Sequence, residues 1–301
     1  MNGNQKASRL PRNRRAPLRQ LPEMRMTDRD RQIVLLAYDY RAVTSDIVET
    51  VLFEPKRGQD APVSSRCLHR LKLLFHHGYL QRNSLPTVMG RRGVFVYTLD
   101  ERGGYLVAEM LQIPLADLDW KPRDDQYVRG PFIDHMLLTN KVRASLEAAA
   151  HSAGYSVANW TDDIAMRRSP IVVTVQRARG PDRVELVPDG MFFLVRQNEA
   201  LACCVELDRG TETVRSNTGA RDFAAKVRAY LAFAQARPLR VLTVVSAGER
   251  RLQNLQQAAS RSGDRSIFHF ASYAEASRSD LVLHGEIWRR GDSNSTVSLL
   301  P

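Results

Sequence analysis

With 301 residues, 43% of them hydrophobic and 26% charged, the chain has the composition of a folded globular protein with material for two domain cores. No run is apolar for long enough to cross a bilayer and the amino terminus shows no secretory signal, so the expectation is a cytoplasmic protein with no membrane partner. The formal net charge of +11 points to a polyanionic partner, because each Lys or Arg that neutralises a phosphate releases counterions.

Residues 1–26 carry Lys6, Arg9, Arg12, Arg14, Arg15, Arg19 and Arg25 against Glu23, with prolines at 11, 17 and 22. Such a segment has little to bury and reads as a disordered basic arm. Thr27 has N-cap chemistry, followed by Asp28 and Asp30 where a helix dipole favours negative charge, and the apolar spacing of Ile33, Val34, Leu36 and Ala37 predicts a helix to about Tyr40. Thr44 opens a second short helix. Ser64 opens a third, in which Leu68, Leu71, Leu74 and Phe75 are expected to face inward and Arg66, His69, Arg70 and Lys72 outward. Tyr79-Leu80 and Val94–Thr98 read as strands joined by a polar loop that holds Arg91 and Arg92. Three short helices and a hairpin with a cationic tip make a winged-helix pattern over 27–112, a helix-turn-helix variant whose third helix enters the major groove. Arg66, His69, Arg70, Arg91 and Arg92 are therefore candidate DNA contacts. Asp100 caps a further helix through Leu111, and 113–131, with three prolines and no periodicity, reads as a linker.

The second domain is expected over 132–290. It opens on a long helix from Phe132 to Ala153, followed by strand signals at Ser156–Trp160 and Ile171–Gln176. Two apolar runs, Met191–Val195 and Ala200–Val205, flank the polar quartet Arg196-Gln197-Asn198-Glu199 and predict a hairpin. A helix from about Arg221 to Ala236, a strand at Arg240–Val245, a helix at Arg250–Arg261, a strand at Ser266–Phe270 and an apolar segment at Leu281–Trp288 complete it. Residues 291–301 read as a flexible tail. A mixed sheet flanked by helices is the economical architecture. Cys67, Cys203 and Cys204 offer neither a disulfide framework nor zinc spacing.

A symmetric turn at the quartet pairs residues whose numbers sum to 395, which sets Asp189 opposite Glu206. Alternation puts Asp208 on the same face as Glu206. Opposed like charges are destabilising, and carboxylates so gathered bind a hard cation such as Mg²⁺, with water and a substrate phosphate filling the other positions. The alternative is a pair of solvated turns at Pro188-Asp189-Gly190 and Asp208-Arg209-Gly210.

An acidic residue opening one strand, and an acidic-x-ionisable triplet on its neighbour, resemble the restriction-endonuclease-like superfamily with its PD-(D/E)xK motif. Pro188-Asp189 supplies the first half and Glu206-Leu207-Asp208 the second, with Asp208 where lysine is expected. Over most of its length the chain resembles the plasmid replication-relaxation family. The resemblance is carried by Thr27-Asp28-Arg29-Asp30, Tyr97-Thr98-Leu99-Asp100, Pro188-Asp189-Gly190, Glu206-Leu207-Asp208-Arg209-Gly210-Thr211-Glu212, Lys226 and Tyr230. It implies a mixed α+β (α/β) fold: an N-terminal winged helix, then a restriction-endonuclease-like mixed sheet flanked by helices. It also implies a role in plasmid or mobile-element DNA metabolism, with DNA and replication or relaxation machinery as partners and homo-oligomerisation left open.

Three functions compete at this point, the third a protein-binding adaptor that uses the winged helix for its contacts. In the first, a metal-dependent DNA endonuclease or nickase, Asp189, Glu206 and the Leu207 carbonyl hold Mg²⁺. Lys226, one turn before Tyr230 on the following helix, replaces the missing lysine in preference to Arg209, and Asp208 completes the acidic set. In the second, the nuclease-like domain is a degenerate scaffold in a non-catalytic replication or transcription regulator, and Asp208 pairs with an arginine.

Overall fold

Thr27 caps the first helix reciprocally: its hydroxyl accepts from the Asp30 amide at 3.3 Å while the Asp30 carboxylate accepts from the Thr27 amide at 2.8 Å. Helix α1 (Asp28–Asp39) is followed by β1 (Val43–Thr44), α2 (Ser45–Leu52), α3 (Ser65–His76), β2 (Leu80–Val88), β3 (Arg91–Leu99) and α4 (Glu101–Leu111). The three strands form an antiparallel sheet in the order β1-β3-β2. Its core is Ile33, Val34, Ile47, Val48, Leu71, Leu74 and Val96, all fully buried. This computed structural model describes residues 11, 14–17, 20–53, 62–88, 91–121, 132–177, 180–211, 223–235, 237–261, 266–291, 293 and 295–300. The chain divides into two units, Met1–Asn140 and Lys141–Pro301, and the division falls inside helix α5 (Ile133–Ser152).

Several expectations for the first unit are corrected. The inward stripe of α3 is Cys67, Leu71 and Leu74, while Leu68 is 47% exposed. Residues 67 and 68 both keep helical spacing with 71, and the small Cys67 thiol takes the inner place beside the Ser45 carbonyl. Arg91 and Arg92 are the first residues of β3, paired with Val88 and Thr87, and not part of a loop. Their side chains lie outside the described residues. The basic arm is ordered where it meets α3: the Ala16 amide donates to His76 Nδ1 at 3.1 Å, and Arg15 donates to the Phe75 carbonyl at 3.0 Å and pairs with Asp100. The first part of the expected linker also packs, with Leu118 buried and the Trp120 ring so close to Gly104 that a Cβ there would lie 2.3 Å from it. Residues 122–131 lie outside the described residues.

The second unit is built on a seven-stranded mixed sheet. Its strands are β4 (Ser156–Asp162), β7 (Gly190–Arg196), β8 (Glu199–Asp208), β9 (Leu239–Val245), β10 (Phe268–Ser272), β11 (Trp288–Arg290) and β12 (Thr296–Val297), in the order β12-β11-β10-β9-β8-β7-β4. The β8–β9 and β9–β10 pairs are parallel and the rest antiparallel. The crossovers between the parallel strands are α7 (Phe223–Ala234) and α8 (Glu249–Ser260). Both helices pack on the sheet face that carries Ala202, Cys204, Val241, Val245, Phe268 and Phe270. Short helices α6 (Asp163–Arg168) and α9 (Tyr273–Ala276) follow β4 and β10. Strands β5 (Ile171–Arg177) and β6 (Gly180–Leu186) pair with each other as a separate two-stranded ribbon. The fold is thus mixed α and β. The expected flexible tail instead carries β12 and buries Leu299 and Leu300, because the Arg240 guanidinium and the Leu283 carbonyl take up its backbone groups. All three cysteines are free and buried. Among the described residues no helix is long and apolar enough to cross a membrane.

Candidate functional site

The hairpin register fixes the site. Strands β7 and β8 pair Arg196 with Glu199, Val195 with Ala200 and so on to Gly190 with Val205, every pair summing to 395. Gln197 takes a φ of 54° in the two-residue turn, the positive value that the tightest hairpins require. Beyond the last pair, the Asp189 amide donates to the Val205 carbonyl at 3.1 Å and the Asp189 Oδ2 accepts from the Leu207 amide at 2.7 Å. A carboxylate oxygen thus extends the ladder by one rung and holds the side chain level with Glu206. Alternation puts Asp189 on the face of Met191 and Phe193, and Glu206 on the face of Cys204; all three apolar residues belong to the core under α7 and α8. The two carboxylates share a face, at the carboxyl end of β8 where open α/β sheets place their ligands.

Glu206 is 4% exposed and makes two strong contacts from α7. Lys226 Nζ donates to Oε2 at 2.8 Å and the Tyr230 hydroxyl donates to Oε1 at 2.5 Å. Lys226 and Tyr230 are one turn apart, so a single helix face delivers both. Burial pushes the Glu206 carboxyl up to about 7, with Asp189 adding to the rise while Lys226 and Tyr230 oppose it. Burial and the Glu206 charge hold the Tyr230 phenol well above its ordinary range, so it remains a donor.

Asp208 stands apart from this pair. Arg251, on α8, donates to both its oxygens at 2.9 and 2.7 Å, and the Gly210 amide donates to Oδ1 at 2.9 Å. A fork so occupied is an ion pair, the arginine partner that the second of the two sequence readings gives Asp208. Arg251 lies 43 residues further along the chain, and no spacing rule reaches that far.

Asp163 escaped the sequence reading. Strands β4 and β7 pair Thr161 with Met191 and Asp162 with Gly190, so Asp163 follows at the level of Asp189. Burial, and after it the Asp189 charge, raise the Asp163 carboxyl against the pull of Arg167. The signal available was the doublet Asp162-Asp163 at a strand end; Asp162 itself caps α6 by accepting from the Ala165 amide at 2.7 Å. The neighbouring glycine is dictated by packing. A Cβ on Gly190 would lie 2.5 Å from the Trp160 ring, which stacks on Phe192 with ring centres 5.3 Å apart. A register shift in β4 between Ala158 and Thr161, with Asn159 at φ 54°, aims Trp160 there.

In the first unit, Arg66 and His69 are exposed on α3. Arg70 pairs inward: its guanidinium donates to both oxygens of the fully buried Asp30, with Nε to Oδ1 at 2.6 Å, and to the Arg25 carbonyl at 3.2 Å. A buried carboxylate keeps its charge through such a partner, which is why Arg70 turns inward.

Among the described residues no group of three or more His, Cys, Asp or Glu side chains is arranged to hold a metal ion. No curated protein and no solved structure matches the chain. The family model described as replication-relaxation matches residues 36–243. That span runs from the last turn of α1 through the rest of the helix-and-hairpin unit to Asp189, Glu206 and Lys226, and it covers well over half of the sequence: the chain belongs to the replication-relaxation family.

Proposed function

We propose that this member of the replication-relaxation family acts as a DNA-binding protein of plasmid or mobile-element replication that nicks DNA in a Mg²⁺-dependent reaction at Asp189, Glu206 and Lys226. The observation that carries this reading is Lys226 Nζ at 2.8 Å from Glu206, beside Asp189: the lysine missing from the strand motif is supplied by the next helix. DNA binding is assigned to the first unit, whose order α1-β1-α2-α3-β2-β3 supports the winged-helix reading, with Arg66 and His69 on the outward side of α3 and Arg91 and Arg92 at the head of β3.

The donor set fits Mg²⁺. That ion is held by one or two carboxylates, with waters and substrate phosphate completing its shell, and the Asp189 charge that raises the proton affinity of the buried Glu206 is a repulsion such a cation would offset. Asp189, Glu206 and the Leu207 carbonyl would hold it, and it would lower the pKa of a water and offset charge on the phosphate. The chain's own groups do the rest. Tyr230 and Lys226 fix both oxygens of Glu206 so that it cannot rotate away, and Lys226 places a positive charge where the phosphoryl oxygens gather negative charge. Asp208, tied to Arg251, anchors the end of β8.

One observation favours a second reading. Glu206 has both oxygens occupied and Asp208 is consumed by Arg251, as in a scaffold that no longer cuts. Incubation with supercoiled plasmid separates the two. The nickase converts it to open circles with Mg²⁺ and not with EDTA, and Asp189→Ala abolishes the conversion while leaving DNA binding intact. Binding without any conversion selects the regulator.

A further inference from the structure

Strand β9 ends on a buried aliphatic run, Val241-Leu242-Thr243-Val244-Val245, interrupted at Thr243, which is itself fully buried. Its Oγ1 has no hydrogen-bond partner among the described residues. A buried hydroxyl left unpaired is a cost that valine, of the same branched shape, would avoid, so such a group calls for a function. The register says where it can act. Parallel pairing sets Thr243 level with Glu206 on one side and with Phe270 on the other. The preceding row on that face, Cys204, Val241 and Phe268, lies in the core under α7 and α8, and alternation keeps Glu206, Thr243 and Phe270 on the same face. Phe223 of α7 packs on Phe270 with ring centres 6.3 Å apart, so the far side of the threonine is apolar. The Glu206 carboxylate is the polar neighbour of the hydroxyl in its row, one strand spacing of roughly 4.8 Å away.

We propose that Thr243 is a positioning residue for Glu206: its hydroxyl is a donor held in reserve for Oε2, taken up when Lys226 leaves that oxygen. The inference rests on the nicking reading, in which the Lys226 charge serves the phosphate. Of the two donors on Glu206, Tyr230 is 1% exposed and closed to a phosphate, while the Lys226 side chain is 30% exposed. A phosphate arriving at the site therefore draws Lys226 and not Tyr230. Oε2 is then left bare inside the protein, where an unpaired carboxylate oxygen is costly. A step between χ1 rotamers re-aims the Thr243 hydroxyl without moving either strand, so the replacement donor arrives with no rearrangement of the sheet. Valine at this position has no such donor, and serine keeps it.

The test is a double-variant cycle in melting temperature on the full chain without DNA or metal, with nicking of supercoiled plasmid in Mg²⁺ as a second measurement. In the wild-type background Thr243→Val should leave the melting temperature unchanged or raise it, because it removes an unpaired hydroxyl. In the Lys226→Met background, where Oε2 has lost its donor, Thr243→Val should lower it by about 3 °C or more. Thr243→Ser, which loses a methyl and keeps the hydroxyl, should shift it equally in both backgrounds. With Lys226 present, Thr243→Val should slow nicking about tenfold and Thr243→Ser by less than about threefold. Equal melting shifts by Thr243→Val in the two backgrounds, or nicking by Thr243→Val at the wild-type rate, overturn the inference and leave the nicking site standing. A wild-type chain that does not nick removes the nicking site, while a coupled melting shift still places Thr243 behind Lys226 as a donor to Glu206. If Lys226→Met does not fold, the nicking rates of the valine and serine variants decide the matter, since each alters one buried side chain by a single group.

Discussion

Replacing Arg251 with alanine should destabilise the second unit more than any other single truncation on its surface helices. The guanidinium makes two bonds to Asp208, at 2.9 and 2.7 Å, and Asp208 is 8% exposed. Truncation leaves that carboxylate buried with the Gly210 amide still donating at 2.9 Å, and an uncompensated buried charge costs about 3–5 kcal/mol. For a unit of this size each kcal/mol moves the melting temperature by about 2–4 °C, which gives a fall of roughly 6–20 °C. Thermal unfolding followed by circular dichroism reads it. The double variant Asp208→Ala/Arg251→Ala should recover part of the loss, since no orphan charge remains. A cost of under about 1 kcal/mol for Arg251→Ala would refute the reasoning. Asp208 would then be a solvated carboxylate, open to the catalytic role that the sequence motif suggested.

Other outcomes follow from the same contacts. Arg70→Ala should cost about 3–5 kcal/mol of stability, because it strands the buried Asp30, and should not relax base preference; selection from a randomised duplex library together with a melting curve distinguishes the two. Gly190→Ala should cost about 1–3 kcal/mol and shift the Trp160 fluorescence, since its Cβ would press on that ring. Glu206 is an acid whose folded pKa, about 7, lies above its ordinary 4.5, so its contribution to stability is full below about 4.5 and is lost as pH rises through about 7. Glu206→Gln should remove that decline, on the order of 3 kcal/mol, from urea denaturation measured across the interval. His76 behaves in the opposite sense: burial, reinforced by Arg82, Lys72, His77 and Arg15, lowers it to about 4, so the first unit should lose stability as pH falls from 6.5 towards 4, and His76→Gln should not.

What the sequence made legible was local. The 395 register followed from a two-residue turn and strand alternation, and it set Asp189 beside Glu206 because nothing in seven rungs interrupts the count. Lys226 was legible for the same reason, since a helix that follows a parallel strand returns across the strand's own face. The caps Thr27, Ser64 and Asp100 carry their signal in the residue itself. Pairings set by tertiary packing were not legible: Arg70 finds Asp30 across 40 residues and Arg251 finds Asp208 across 43. Strand β6 was hidden because Gly-Pro-Asp-Arg-Val-Glu-Leu has few apolar residues, and its pattern emerges once β5 is laid beside it. The last residues looked loose because a two-residue strand is too short to carry periodicity.

The measurement closest to the central claim is anomalous scattering from crystals soaked in Mn²⁺, a spectroscopically visible substitute for Mg²⁺. A single peak between the Asp189 and Glu206 carboxylates, absent in Asp189→Asn crystals, is the predicted result. A peak at Asp208, or none in the second unit at saturating Mn²⁺, would contradict the account.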